Sequence, residues 1–139
     1  MPSLVEYIRI PNQSKAFDPE WNTNGLLKKA ADHINDWVKN FQIAGLKSEV
    51  IKDPEFSPII FIEIPGNVDD TFLFYGHFDK QPPLYGWDED LGPTKPVIRN
   101  GRLYGRGGAD DGYSTYASMI AIKALQDQGL PIPSILSLI

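Results

Sequence analysis

The stretch IIFIEIPGNVDDTFLFYGH, residues 59–77, decides the fold. Its two apolar runs, Ile59–Ile64 and Phe72–His77, are separated by a turn made of Pro65-Gly66 and Asn67–Asp70. Short runs rich in Ile and Phe between such breakers read as strands. Neither run keeps a regular polar position, which predicts central strands covered on both faces. Moving toward the N-terminus, Leu46–Lys52 alternates and reads as an edge strand with one wet face. Before it, Leu26, Ala30, Ile34, Trp37, Val38 and Phe41 recur at three- and four-residue spacing, one face of a helix. Thr23 or Asn24 can cap its start, and Gly45 can supply the left-handed residue past its end. Leu4–Ile10 is a short apolar segment, and Ser14–Asn24 reads as an ordered loop.

Moving toward the C-terminus, KQPPLYGWDEDLGPTKP (residues 80–96) is a long irregular stretch, uncommon inside a domain unless it has a function. Val97–Asn100 and Arg102–Gly105 flank Asn100-Gly101, a strong hairpin signal. The passage GRGGADDG (residues 105–112) leads into a second helix with an apolar face of Tyr113, Ala117, Ile120, Ala121, Ala124 and Leu125. Gly129 and Pro131 close that helix, and Ser134–Ile139 reads as a last strand. Strands interleaved with helices predict an α/β sandwich. In open α/β sheets functional side chains come from loops beyond strand carboxyl ends. The sequence ends on such a strand, so the reading expects part of a longer polypeptide.

At 139 residues the chain has the size of one domain. The absence of Cys excludes a disulfide scaffold, a zinc ribbon and a thiol nucleophile. Apolar residues make up 42%, too many for a disordered chain. A net charge of −5 leaves no basic surplus for binding nucleic acid. No apolar run approaches the ~20 residues of a membrane-spanning helix, and Met1–Pro11 lacks the layout of a secretion signal. The expectation is a cytoplasmic protein with neither nucleic-acid nor membrane partners.

Two clusters can carry chemistry. His77 and Asp79, two apart in extended chain, share a face. The carboxylate can take the imidazole N–H and leave the other ring nitrogen free for a metal. The plainer alternative is a polar pair closing a strand at the surface. Asp110 and Asp111 stand before a helix, where one Asp serves well as a cap. Two adjacent carboxylates rarely serve one cap, so one is free to bind, or bridge, dications. A phosphate-loop reading of GRGGADDG fails: Tyr113-Ser114 follows where Lys-Ser/Thr is needed, and the GxGxxG pattern breaks at its last position. Trp87-Asp88-Glu89-Asp90 lacks the spacing of a calcium loop.

Taken together, FLFYGHFDKQP, Gly86-Trp87 and NGRLYGRGGADDG, in this order and spacing, resemble the metallopeptidase M20 family of carboxypeptidases, carnosinase-type dipeptidases and aminoacylases. The resemblance implies a three-layer α/β sandwich with a mostly parallel mixed sheet. Residues 1–139 would then be the N-terminal part of the catalytic domain, without the dimerisation domain or the remainder of the catalytic domain. It implies His77 as a ligand of one zinc, Asp79 as the catalytic residue orienting that imidazole, and Asp110 as the bridge between two zinc ions. A cis bond between Asp110 and Asp111 is implied as well. The chemistry implied is hydrolysis of a dipeptide, a C-terminal peptide bond or an N-acyl amino acid by metal-activated water, in a homodimeric parent. Asp111-Gly112-Tyr113 lacks the lysine common in the family, and Phe78 and Lys80-Gln81 replace commoner residues. The family's Glu-Glu pair, base and ligand, does not occur in the sequence. The chain by itself is therefore expected to be inactive and its zinc site unfilled. The competing reading is a non-catalytic α/β module in which Asp110 and Asp111 only cap a helix.

Overall fold

The apolar spacing from Leu26 onward produces helix α2, Leu26–Asn40, in a computed structural model that describes residues 2–139. Neither Thr23 nor Asn24 is its N-cap: Gly25 holds that position without a side-chain cap, and Asn24, one residue earlier, accepts the Leu26 N–H through Oδ1 at 2.9 Å. The left-handed residue just past its end is Gln42 (φ 59°); Gly45 lies further on, at the turn into the sheet. The Leu4–Ile10 segment lies largely in a helix, α1, Pro2–Arg9, with Leu4, Tyr7 and Ile8 buried. The strands are β1 Lys47–Ile51, β2 Ile59–Ile64, β3 Thr71–Tyr75, β4 Val97–Arg99, β5 Arg102–Tyr104 and β6 Ser134–Leu138; α3 spans Tyr113–Asp127. β4 and β5 form the expected hairpin, with Asn100 (φ 53°) and Gly101 (φ 74°) both in the left-handed region that a tight two-residue turn requires.

The main sheet has the order β1-β2-β6-β3. It is mixed, as expected of an α/β fold, but β1–β2 and β2–β6 are antiparallel and only β6–β3 is parallel. A mostly parallel sheet is not realised because the chain reverses directly between β1 and β2. Only the path from β3 to β6 includes a crossover helix, α3, which parallel pairing needs. β6 inserts between β2 and β3, so β3 lies at the edge rather than at the centre. Its Leu73 is 64% exposed and its Tyr75 79%.

One face of the sheet carries the core. Ile60, Ile62 and Ile64 of β2 and Ile135 of β6 are buried together with Ile34 and Val38 of α2 and Met119 of α3. On the alternate positions Ile51, Ile59, Leu73 and Leu138 are exposed. The described residues thus form two layers, where the resemblance implies three. Helix α3 turns the face opposite to the expected one inward. Thr115, Tyr116, Met119 and Ile122 are buried, whereas Tyr113, Ile120 and Leu125 are exposed. The helix is apolar on both sides, so periodicity does not discriminate. Tyr116 decides: its ring packs 4.4 Å from Trp37, and its hydroxyl lies 3.1 Å from Ser3 Oγ. Among the described residues no helix is long and apolar enough to cross a membrane.

Candidate active site

β3 delivers the chain to Gly76, where the backbone passes against α3. A Cβ at Gly76 would sit 2.4 Å from Ser114 Oγ, so no side chain fits. The next residue, His77, donates its backbone N–H to Asp111 Oδ2 at 3.2 Å. Its ring Nδ1 lies 3.0 Å from Asp79 Oδ1 and 3.1 Å from the Asp79 carbonyl. Both partners only accept, so Nδ1 carries the proton. Nε2 faces Asp110 Oδ1 at 3.3 Å. Two motifs 33 positions apart thus meet within one hydrogen-bond length, and the expected trio His77, Asp79 and Asp110 is assembled.

Electrostatics follow from that geometry. Burial alone would lower the His77 imidazole. The Asp79 carbonyl, the Asp79 charge and its carboxylate hydrogen bond outweigh burial, with a further contribution from Asp111, and the pKa is raised above its ordinary 6.5. Asp110 is the most open member, its side chain 61% exposed. A recess of about 400 Å³ adjoins the cluster, lined by Phe56, Pro58, Ile59, Tyr75 and Leu138 as well as His77 and Asp79.

The two aspartates do not act as helix caps. Gly112 occupies the N-cap position of α3, and no side chain caps that end. Asp111 instead anchors the His77 backbone, which leaves Asp110 free to face the imidazole. The Asp110–Asp111 peptide bond is cis. The glycine-rich loop has a packing role. Added Cβ atoms at Gly105, Gly107 and Gly112 would meet Ile8 at 2.4 Å, Lys80 at 2.6 Å and Tyr7 at 2.2 Å. These glycines bring the Asp110 loop onto α1.

Three supporting residues have no role implied by any motif, although Lys80 stands in one as a departure from it. Tyr7 Oη and Asn12 Nδ2 both donate to the Phe78 carbonyl, at 2.6 and 2.7 Å. Lys80 is buried beside them. Their contacts span about seventy positions, and no local pattern reports such pairings.

The donor chemistry suits a zinc-type ion: imidazole nitrogen and carboxylate oxygen are its usual ligands. Asp79 holds the far ring nitrogen, as the outer partner of a ligating histidine does. Among the described residues, however, no group of three or more His, Asp or Glu is placed to hold an ion. His77 and Asp110 offer two donors of the right chemistry.

The chain is similar to several known proteins. Residues 73–139 match the model of peptidase family M20/M25/M40. The protein YtjP of Bacillus subtilis, which bears a dipeptidase name, is 42% identical over 67 residues, covering 48% of this chain and 14% of the relative. The succinyl-diaminopimelate desuccinylase of Thioalkalivibrio sulfidiphilus is 44% identical over 61 residues, 42% of this chain and 16% of the relative. The M20 family metallo-carboxypeptidase Sso-CP2 of Sulfolobus solfataricus superposes with a TM-score of 0.78 at 26% identity, over 99% of this chain and 29% of that one. The segment from residue 73 onward, with both motifs, is thus similar to peptidase family M20/M25/M40, and the likeness of fold to the Sulfolobus solfataricus enzyme extends over nearly the whole chain. The chain spans about a sixth or less of the length of these curated relatives.

Proposed function

We propose that this chain supplies the N-terminal part of the catalytic domain of a zinc-dependent hydrolase that cleaves the amide bond of a small peptide or an N-acyl amino acid. The observation that carries the reading is the convergence of His77 Nε2 and Asp110 Oδ1 at 3.3 Å, with the other ring nitrogen held by Asp79. His77 and Asp110 would hold the metal, and a pair of such ions supplies an activated water and polarises the scissile carbonyl. Asp79 keeps the proton on Nδ1, so that the Nε2 lone pair is directed outward. Asp111 fixes the backbone of His77, and thereby the height of the ring above the Asp110 loop. The names of the relatives support amide substrates: one is a carboxypeptidase and another removes a succinyl group.

Zinc titration of the purified chain, followed by NMR, tests this reading. Zinc is expected to bind weakly and to perturb the His77 ring and the Asp110 loop, with both responses lost in His77→Ala. Zinc that leaves His77 untouched while binding elsewhere would sink the proposed site. No turnover of dipeptides or N-acyl amino acids is expected from the 139 residues, since no Glu-Glu pair is present to serve as base and ligand. Activity that disappears in Asp110→Ala would overturn that expectation.

A further inference from the structure

Lys80 is the only charged side chain in the buried set among the described residues, at 2% exposure. Its Nζ donates to the carbonyls of Tyr7 (3.0 Å), Ile8 (3.2 Å) and Ile10 (2.6 Å). Tyr7 and Ile8 lie in the last turn of α1 and Ile10 just past it, where helix-terminal carbonyls favour a cation; the Tyr7 carbonyl also accepts the Ile10 N–H at 3.0 Å. An ammonium has three N–H donors, and all three are engaged. Nζ also stands 4.2 Å from the centre of the Tyr7 ring. Burial pulls this lysine from 10.5 down to about 7.

The rest of the residue is equally tied. Its backbone N–H donates to the Asn12 carbonyl at 2.9 Å, and its carbonyl accepts from the Ser14 N–H at 2.9 Å. Its aliphatic stem runs under the glycine-rich loop, where a Cβ on Gly107 would approach Lys80 Cε to 2.6 Å. Lys80 therefore touches α1, the segment after it and the loop that carries Asp110, while it directly follows Asp79. Any shift of the α1 terminus reaches the site by a second path as well, because Tyr7 holds the Phe78 carbonyl.

We propose that Lys80 is a positioning residue for the His77–Asp110 pair: by caging its ammonium in the α1 terminus it locks the His77–Lys80 segment against the Asp110 loop and keeps Asp79 on the imidazole. The purpose assigned to Lys80 rests on the metal-site reading, but its test does not.

That test follows the Nδ1–H proton of His77 in ¹⁵N-labelled, metal-free full chain, at a pH just below 7, with His77→Ala to assign the signal. The wild type is expected to show a sharp, protected downfield resonance from the hydrogen bond to Asp79. In Lys80→Met, which keeps the stem but removes the donors, that resonance is expected to broaden beyond detection while the backbone spectrum stays folded. Lys80→Ala with added n-propylammonium should recover it, because the amine replaces the missing atoms. n-Propanol should not. A lowered melting temperature with an unchanged Nδ1–H signal would reduce Lys80 to a structural role and overturn the proposal, as would equal rescue by the alcohol. If both variants fail to fold, the wild type decides. A slowly exchanging Lys80 ammonium with couplings to three carbonyl carbons supports the cage, and its absence refutes it. A chain in which zinc binds away from His77 but which passes the ring test would sink the metal reading and leave the positioning role intact.

Discussion

The two faces of the main sheet are made from the same strands at alternate positions, yet they have different fates. Ile60, Ile62 and Ile64 are buried against α2, α3 and each other. One position away, Ile51, Ile59, Leu73 and Leu138 remain exposed, and β3 offers Tyr75 to solvent. Helix α3 repeats the contrast, with Tyr116 and Met119 inside and Ile120 and Leu125 outside. Apolar character states what a surface is able to bury; which surface is buried depends on what else the chain brings to it. α1 and α2 come to one face only, and α1 also holds the segment after His77 through Tyr7.

The sharpest way to break that contrast is a deletion on the covered face. Ile62 is fully buried in the central strand β2. Ile62→Ala should cost about 2–5 kcal/mol, from lost transfer free energy plus the cavity left behind. Urea unfolding followed by far-UV circular dichroism measures it. A loss below about 1 kcal/mol would mean that the core relaxes far more than this packing allows.

How much of this was legible in advance follows the same division. Ile59–Ile64 reads correctly as an inner strand because its contacts need only a sheet and a helix, but only one of its two faces is covered, not both as expected. The Asn100-Gly101 hairpin and α2 read correctly because their signals are local. Phe72–His77 is equally apolar but forms the edge, since strand order is set by where β6 inserts, over sixty positions later. His77, Asp79 and Asp110 were visible through their motifs, and the structure brings them together. Tyr7, Asn12 and Lys80 were not, because their roles arise from the docking of α1 on the His77 segment. Lys80 as a departure from the motif it stands in was the one available hint.

A second prediction sharpens the description of the covered side through pH. The buried Lys80 has its pKa lowered to about 7 from 10.5. Between those values the unfolded chain binds more protons than the folded one, so stability from this group rises as pH increases above about 7. Below that value both states carry the proton and the contribution is flat. The slope from one such group is at most about 1.4 kcal/mol per pH unit. Urea midpoints of wild type and Lys80→Met between pH 6 and 9 should therefore diverge, with the wild type gaining and the variant losing that slope. Parallel curves would show that the ammonium stays fully protonated in the cage throughout. The raised Tyr7 hydroxyl acts in the opposite sense only at higher pH, because its ionisation is disfavoured in the fold.

The smallest expected effect lies on the open face. Leu73 pairs across β3–β6 with Leu136 and is 64% exposed, so most of its side chain already contacts water. Hydrophobic stabilisation scales with the area removed from water, and little is removed here. Leu73→Lys should change stability by no more than about 0.5 kcal/mol, the range of ordinary surface substitutions. The lysine would also discourage edge-to-edge pairing along β3, since a charge on an edge strand opposes the docking of another strand. Urea midpoints at two protein concentrations about tenfold apart are the measurement, with unchanged m-values confirming that the same surface is exposed on unfolding. A loss of about 2 kcal/mol or more would show that this face is covered in solution after all. If the loss grew with concentration, the cover would be a second copy of the chain, because association stabilises by mass action. If it did not, the cover would come from within the molecule, and the contrast between the two faces would fail at its weaker side.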